Sequence, residues 1–382
     1  MSHMALRVLV LGVLMGCTAP APVSAGPFDG GAVIDAGAVV SELDGVLLRY
    51  VGDGGVTVAF PGGVEMVDQL PAVVVGVIRR GAVEVASRSR PGAPTLNRTT
   101  VLPLSSISKA VTGLIAAKGI VEGRFQATMP ASTLLAADLS GLAGDRTLVE
   151  LASHTAGYLA NPRNLDVATM PTQPAAAYTR ERLALCLSRP DCSVAPSQRG
   201  TYVYSNLSPG LLGLALADQA GVDFETLVQT RLARPLGLVD THVRAASDLS
   251  RTVPGLTPTG ETVQPAAMGA LAAAGELLST TDDVLVLLAQ LTAPAGEWQA
   301  PIELAVAPTT STGAIGWCID RLRIDGRLRF SKTGEQAGYS SIVMWSPAEG
   351  TGVVAFTTVG RSSRTLAGLA SELFDGARDG GP

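Results

Sequence analysis

The sequence predicts a mixed α/β (α+β) fold: an antiparallel sheet flanked by helices, with a mainly helical subdomain inserted into it. Three observations predict it. Residues 71–89 read as a β-hairpin, with an apolar run, a turn at Arg79-Arg80-Gly81, then alternation at Val83, Val85 and Ser87. From Ser106 to about Ala273, long apolar runs rich in small residues (109–122 and 209–220 among them) are divided by Gly- and Pro-rich loops, a helical pattern. From Ile315 onward strand patterns return in "AIGWCIDRLRI", "RLRFSKTG", "YSSIVMWSP" and "TGVVAFTTVG", with turns at Asp325-Gly326 and Glu349-Gly350. A closing helix is expected over 363–377. Strands therefore come from both ends of the chain, and one sheet built from both ends is the economical arrangement.

The segments ahead of this region read differently. Residues 1–17 carry Arg7, a short apolar stretch from Val8 to Met15, then Gly16 and Cys17, which suits an export leader better than a spanning helix. Leu14-Met15-Gly16-Cys17 resembles a bacterial lipobox, in which Cys17 is lipidated; an ordinary signal peptide cut near "PVSAG" is the alternative. Residues 18–42 are mostly Ala, Gly, Pro and Val, the composition of a flexible tether. The main folded domain is then expected over 43–377, its sheet region over about 43–100 and 300–377 and its helical region over about 101–299.

Composition narrows the function. With 382 residues, 47% of them hydrophobic and 16% charged, the chain can bury a large core. A net charge of −5 without a Lys/Arg cluster argues against nucleic acid as a partner. Beyond the leader, no apolar run reaches 18 residues, so membrane contact is expected through a lipid anchor only. The cysteines are Cys17, Cys186, Cys192 and Cys318; Cys186 and Cys192 read equally as a disulfide or as two buried thiols. With His3, His154 and His242 the only histidines and no CxxC, neither a metal nor a cofactor is expected.

Lysine is scarce, and that makes its positions informative: Lys109, Lys118 and Lys332 are all there are. If a helix starts at Ser106, Lys109 lies one turn along on the same face, within reach of the serine hydroxyl. A lysine with a lowered pKa can take that proton, and an arginine cannot. Alone, the pair also describes an N-cap serine beside a surface lysine. Tyr204-Ser205-Asn206 adds a phenol that, near a cation, can titrate down towards neutrality, and a carboxamide that can grip a substrate amide. Lys332-Thr333-Gly334 adds a cation on a strand and a glycine against which a substrate backbone can lie. No G-x-S-x-G nucleophile elbow occurs. His154, in "LASHTAGY", reads as a helix end and turn, and neither it nor His242 is read as catalytic.

Together these motifs resemble the serine β-lactamase and penicillin-binding protein superfamily, closest to its class C β-lactamase, DD-peptidase and esterase branch. Their order here is S-x-x-K, Y-x-N and K-T-G. "LVELASHTAGY", "RLARPLGLVDT" and "AAAGELLSTTDDVLVLL" resemble further segments of the branch, so the likeness runs over about 71–377. The resemblance implies a β-lactamase/transpeptidase-like fold with Ser106 as acylated nucleophile and Lys109 as its activator. Tyr204, supported by Lys332, would move protons, and Asn206 would hold the substrate amide. Thr333 and Gly334 would line the carboxylate end of the substrate, and the N–H groups of Ser106 and Glu335 would form the oxyanion hole. Two positions depart from the pattern. Glu335 stands where a small residue is usual, with strand alternation placing its side chain on the Thr333 side. Asn161 lies beside Pro162, where class C enzymes carry a glutamine. Residues 43–70 match no segment that can be placed from the sequence.

The implied function is an exported, lipid-anchored serine hydrolase of the cell envelope. Its expected substrate is a D-alanyl cell-wall peptide of the peptidoglycan type, or a small ester or amide. The alternatives are a class C β-lactamase and a slow-turnover β-lactam- or wall-binding protein.

Overall fold

Period-two patterning from both chain ends becomes one six-stranded sheet in the computed structural model, with order 320–324, 327–336, 339–346, 351–357, 72–79, 82–89. The model describes residues 42–376 apart from 61–62, 167–177, 195, 246–247, 249 and 258. The leader, Cys17 and tether residues 18–41 lie outside the described residues. All neighbouring strands of this sheet are antiparallel. The early hairpin joins the late meander through Ala72–Arg79 on Thr351–Thr357, with Val77 opposite Val353.

Both faces of the sheet are covered, and alternation along Ala72–Arg79 decides which residue goes where. Val73, Val75 and Val77 join Leu366, Leu369 and Phe374 of helix Ser363–Asp375 and Leu43, Leu47 and Tyr50 of helix Glu42–Tyr50. Val74 and Ile78 turn to the other core, with Leu285 and Leu288 of helix Thr281–Thr292. Burial of each such side chain contributes roughly 1.5–3 kcal/mol, which is why this strand reads as an unbroken apolar run rather than an alternating one.

Helix Ile107–Val121 is buried from Ile107 to Gly119. It is a core helix, apolar all round, and its two lysines are therefore inside. Gly113 lets it press onto the Trp317 backbone; a Cβ there would stand 2.0 Å from the Trp317 carbonyl oxygen.

Three expectations need correction. Residues 43–70 form helix Glu42–Tyr50 and a separate hairpin, Gly55–Phe60 with Gly63–Asp68, rather than strands of the main sheet. The strand expected from Ile315 starts at Asp320; before it, the Trp317 and Cys318 N–H groups bond to the Ala305 and Ala152 carbonyls, and Cys318 takes φ 59°. The helical middle also contains a small sheet, with Leu277–Ser279 between Leu102–Pro103 and His242–Val243. Cys186 and Cys192 form a disulfide, and Cys318 is a buried free thiol. Among the described residues no helix is long and apolar enough to cross a membrane.

Candidate active site

The small sheet is what sets up Ser106. Leu102–Pro103 pairs with Leu277–Ser279, and the Leu104 N–H bonds to the Leu277 carbonyl at 2.8 Å. Ser105 then takes φ 48°, a left-handed conformation unusual for a residue with a side chain, and the helix begins at Ile107. Ser106 is thus the residue between a strained turn and a helix. Ser108 does a different job: its hydroxyl accepts the Leu277 N–H at 3.1 Å and is buried.

The Ser106 hydroxyl meets two groups. Lys109 Nζ donates to its Oγ at 2.8 Å, and Tyr204 OH lies 2.7 Å from the same atom. Lys109 is fully buried, and among the described residues its only other hydrogen bond goes to the Ala274 carbonyl at 2.5 Å. Burial, with the nearby charge of Lys332, holds its amine well below the usual lysine range. The spacing read from the sequence has therefore produced a serine beside a lysine able to be neutral.

Tyr204 arrives from the loop ahead of helix Leu207–Ala220. Ser205 is spent on structure, its hydroxyl donating to the Leu159 carbonyl and accepting the Ser208 N–H. The Tyr204 ring lies 5.1 Å from Lys109 Nζ and 5.4 Å from Lys332 Nζ. The phenol does not titrate down towards neutrality as expected. Desolvation, only partly offset by the Ser106 hydrogen bond, pushes it up to about 12. A tyrosine so placed keeps its proton over the ordinary pH range, and of the two groups on Ser106 Oγ it is Lys109 that can be neutral.

Lys332, on strand Arg327–Gln336, is buried and ion-paired to Asp320 at 3.2 Å. Gly334 brings this strand against the turn that carries Ser106: a Cβ would stand 2.2 Å from the Leu104 carbonyl oxygen. Asn206 Nδ2 donates to Asn161 Oδ1 at 2.9 Å, so these two predicted residues face the cleft as a pair. Ser106, Asn161, Tyr204, Asn206, Lys332, Thr333 and Glu335 all line one cleft of about 410 Å³. Glu335 is exposed at its edge. Among the described residues no group of three or more His, Cys, Asp or Glu could hold a metal ion.

Two residues were missed. His154 stacks on Tyr204, with centroids 4.9 Å apart and planes at 27°, and its Nδ1 accepts the Ser205 N–H at 3.2 Å. Burial and the two lysines hold it well below the usual histidine range, so it is neutral. The "HTAG" segment was the available signal, and its reading as a helix end was correct but incomplete. Asp320 is the other; no local motif marks it, because its partner lies across a strand pair in which it faces Ser331.

The family model described as Beta-lactamase matches residues 64–375. The chain belongs to the beta-lactamase family. It is a serine hydrolase of that family. A curated beta-lactamase from Pseudomonas fluorescens is 24% identical over 303 residues, covering 68% of this chain and 79% of that protein. Among solved structures, a class C beta-lactamase from Rhodobacter sphaeroides superposes with TM-score 0.64 at 22% identity, covering 80% of this chain and 95% of that one. A beta-lactamase/D-alanine carboxypeptidase from Pseudomonas syringae gives TM-score 0.67 at 18% identity, covering 82% and 95%. A D-alanine carboxypeptidase from Burkholderia cenocepacia gives 0.65 at 19%, covering 80% and 94%. These likenesses show the β-lactamase/transpeptidase fold.

Proposed function

We propose that this family member is an exported hydrolase that works through an acyl-enzyme on Ser106. Its substrate is a small ester or amide, the D-alanyl peptides of the cell wall among them. The carrying observation is the three-way contact of Ser106 Oγ with Lys109 Nζ at 2.8 Å and Tyr204 OH at 2.7 Å. Neutral Lys109 takes the Ser106 proton as Oγ attacks the substrate carbonyl carbon. The bond to the leaving group breaks, and the proton reaches that group through the Tyr204 hydroxyl. Water then attacks the acyl carbon, giving up a proton along the same path, and the acid leaves with Ser106 restored. The N–H groups of Ser106 and Glu335 take the oxyanion. The Asn206–Asn161 pair holds the substrate amide.

Beta-lactam hydrolysis is the second reading, supported by the likeness to the Pseudomonas fluorescens and Rhodobacter sphaeroides beta-lactamases. A slow-turnover binding role fits less well with a base and a relay both in contact with the nucleophile. Export through the leader, with lipidation at Cys17, agrees with a Cys186–Cys192 disulfide, which persists in an oxidising compartment. Intact mass of membrane-bound protein should carry the lipid on Cys17; an unmodified N-terminus rejects the anchor. For the chemistry, Ser106→Ala should abolish covalent labelling by a fluorescent penicillin or fluorophosphonate. Labelling that survives in Ser106→Ala and vanishes in Ser108→Ala moves the nucleophile and overturns the proposal.

A further inference from the structure

The cleft around Ser106 has little positive charge to offer a substrate. Lys332 and Glu335 are the charged residues among those lining it. Lys332 is buried and already answered by Asp320, at 3.2 and 3.4 Å from its two carboxylate oxygens. Glu335 is exposed at the edge and adds a negative charge. The three groups together, one ammonium and two carboxylates, leave the cleft negative. The adjoining hollow, of about 470 Å³, shares Glu335, Gln336 and Ala337 with the cleft and does not reverse this. Arg361 lines it, with Glu261 and Glu335 as two carboxylates to one guanidinium.

A substrate carboxylate seated at the Lys332–Glu335 strand therefore meets a cost twice. It competes with Asp320 for the Lys332 ammonium, and it stands near a second carboxylate in a partly desolvated cleft, where like charges repel more than in water. A neutral ester meets neither cost. We infer that this site selects neutral acyl esters over substrates with a carboxylate near the scissile bond, and that Glu335 together with the Lys332–Asp320 pair sets the selection. The inference rests on the acyl-enzyme reading above. Hydrolysis of such an ester balances with water alone: the Ser106 oxygen–acyl bond forms as the bond to the alkoxide leaving group breaks, and water then releases the acid.

The test uses a matched pair, phenyl butyrate and 3-carboxyphenyl butyrate, which differ only in a carboxylate on the leaving group. Acylation is read as turnover and as protection of Ser106 from fluorophosphonate labelling, so an ester that acylates without release still counts. After normalisation to their rates in hydroxide, the wild type should favour the neutral ester at least tenfold in kcat/KM. Glu335→Gln should raise the carboxylated-to-neutral ratio at least threefold. Added salt should raise the same ratio in the wild type and leave it flat in Glu335→Gln, because salt screens an exposed carboxylate. A wild-type ratio near one, a ratio unmoved by Glu335→Gln, or protection by neither ester overturns the inference. Turnover that persists in Ser106→Ala instead overturns the acyl-enzyme reading, so the two failures are distinguishable.

Discussion

Two lysines reach the same tyrosine from two different elements, and their surroundings differ sharply. Lys109 comes from the helix wall and Lys332 from the strand wall, their Nζ atoms 5.1 and 5.4 Å from the Tyr204 ring. Both are almost fully buried. Among the described residues Lys109 bonds only to neutral oxygens, of Ser106 and Ala274, whereas Lys332 bonds to the Asp320 carboxylate. Burial without a counter-ion favours the neutral amine, and burial beside a carboxylate supports the ammonium. The same residue type stands without a carboxylate partner among the described residues in one place and ion-paired in the other.

The largest expected effect tests that contrast directly. Lys109→Arg keeps a cation yet cannot act as a base, so it should label with fluorophosphonate as slowly as Lys109→Ala, roughly 10³-fold below wild type. Lys332→Arg should keep at least tenfold more activity than Lys109→Arg. A Lys109→Arg enzyme within tenfold of wild type would break the comparison.

A pH profile sharpens it. Acylation should rise with pH as Lys109 loses its proton, at a pH below the ordinary lysine range because burial and Lys332 both lower its pKa. Lys332→Met removes one of those lowering charges. The Lys109 pKa must then rise, and the acidic limb must move to higher pH. A limb that stays put, or moves down, shows that the Lys332 charge does not lower the Lys109 pKa.

What could be read from the sequence follows the distance over which each feature acts. Ser106 and Lys109 are three residues apart on one helix, so spacing alone brings them together. Lys332 stood out because lysine is rare here, and the sheet followed from period-two patterns at both ends. Asp320 did not stand out: its role depends on register with the next strand, which no local pattern records. The direction of the Tyr204 shift was misread for a related reason. Nearby cations can be guessed from motifs, but the desolvation that raises the phenol's pKa is a property of the packed site. Residues 315–319 are apolar enough to pass for strand, yet the Trp317 and Cys318 N–H groups bond to the Ala305 and Ala152 carbonyls, outside the sheet's ladders.

A third prediction concerns the floor under the Lys109 wall. Glu276 is buried, and its Oε2 accepts the Met268 and Gly269 N–H groups at 2.8 Å each, pinning a loop whose Met268 lines the cleft. Burial pushes its carboxyl from 4.5 up to about 7. A folded pKa above the unfolded one gives stability that is fully present below pH 4.5 and lost as pH rises through about 7. The loss is on the order of 3 kcal/mol, at about 1.4 kcal/mol per unit. Glu276→Gln keeps an acceptor oxygen and never ionises. In urea titrations it should gain on the wild type at pH 8 and not at pH 5; an equal difference at both contradicts the burial cost.

The smallest effect separates His154 from the base it resembles. A histidine stacked on Tyr204 invites the reading that it, and not Lys109, titrates in the reaction. Its Nδ1 is occupied by the Ser205 N–H, however, so the proton of the neutral ring sits on Nε2, which is buried and has no hydrogen-bond partner among the described residues. Nothing connects that proton to Ser106. The ring instead fixes the plane of Tyr204, and aromatic pairs of this kind contribute about 0.5–1.5 kcal/mol. His154 also takes φ 57°, which asparagine tolerates better than most residues, so His154→Asn removes the ring with little backbone strain. This variant should fold and lose up to about tenfold in kcat/KM, the rate equivalent of that contact energy. Its acidic limb should stay where the wild type has it, because Lys109 still supplies the titration. Disappearance of the limb in His154→Asn would transfer the base from the lysine to the histidine and undo the contrast between the two walls.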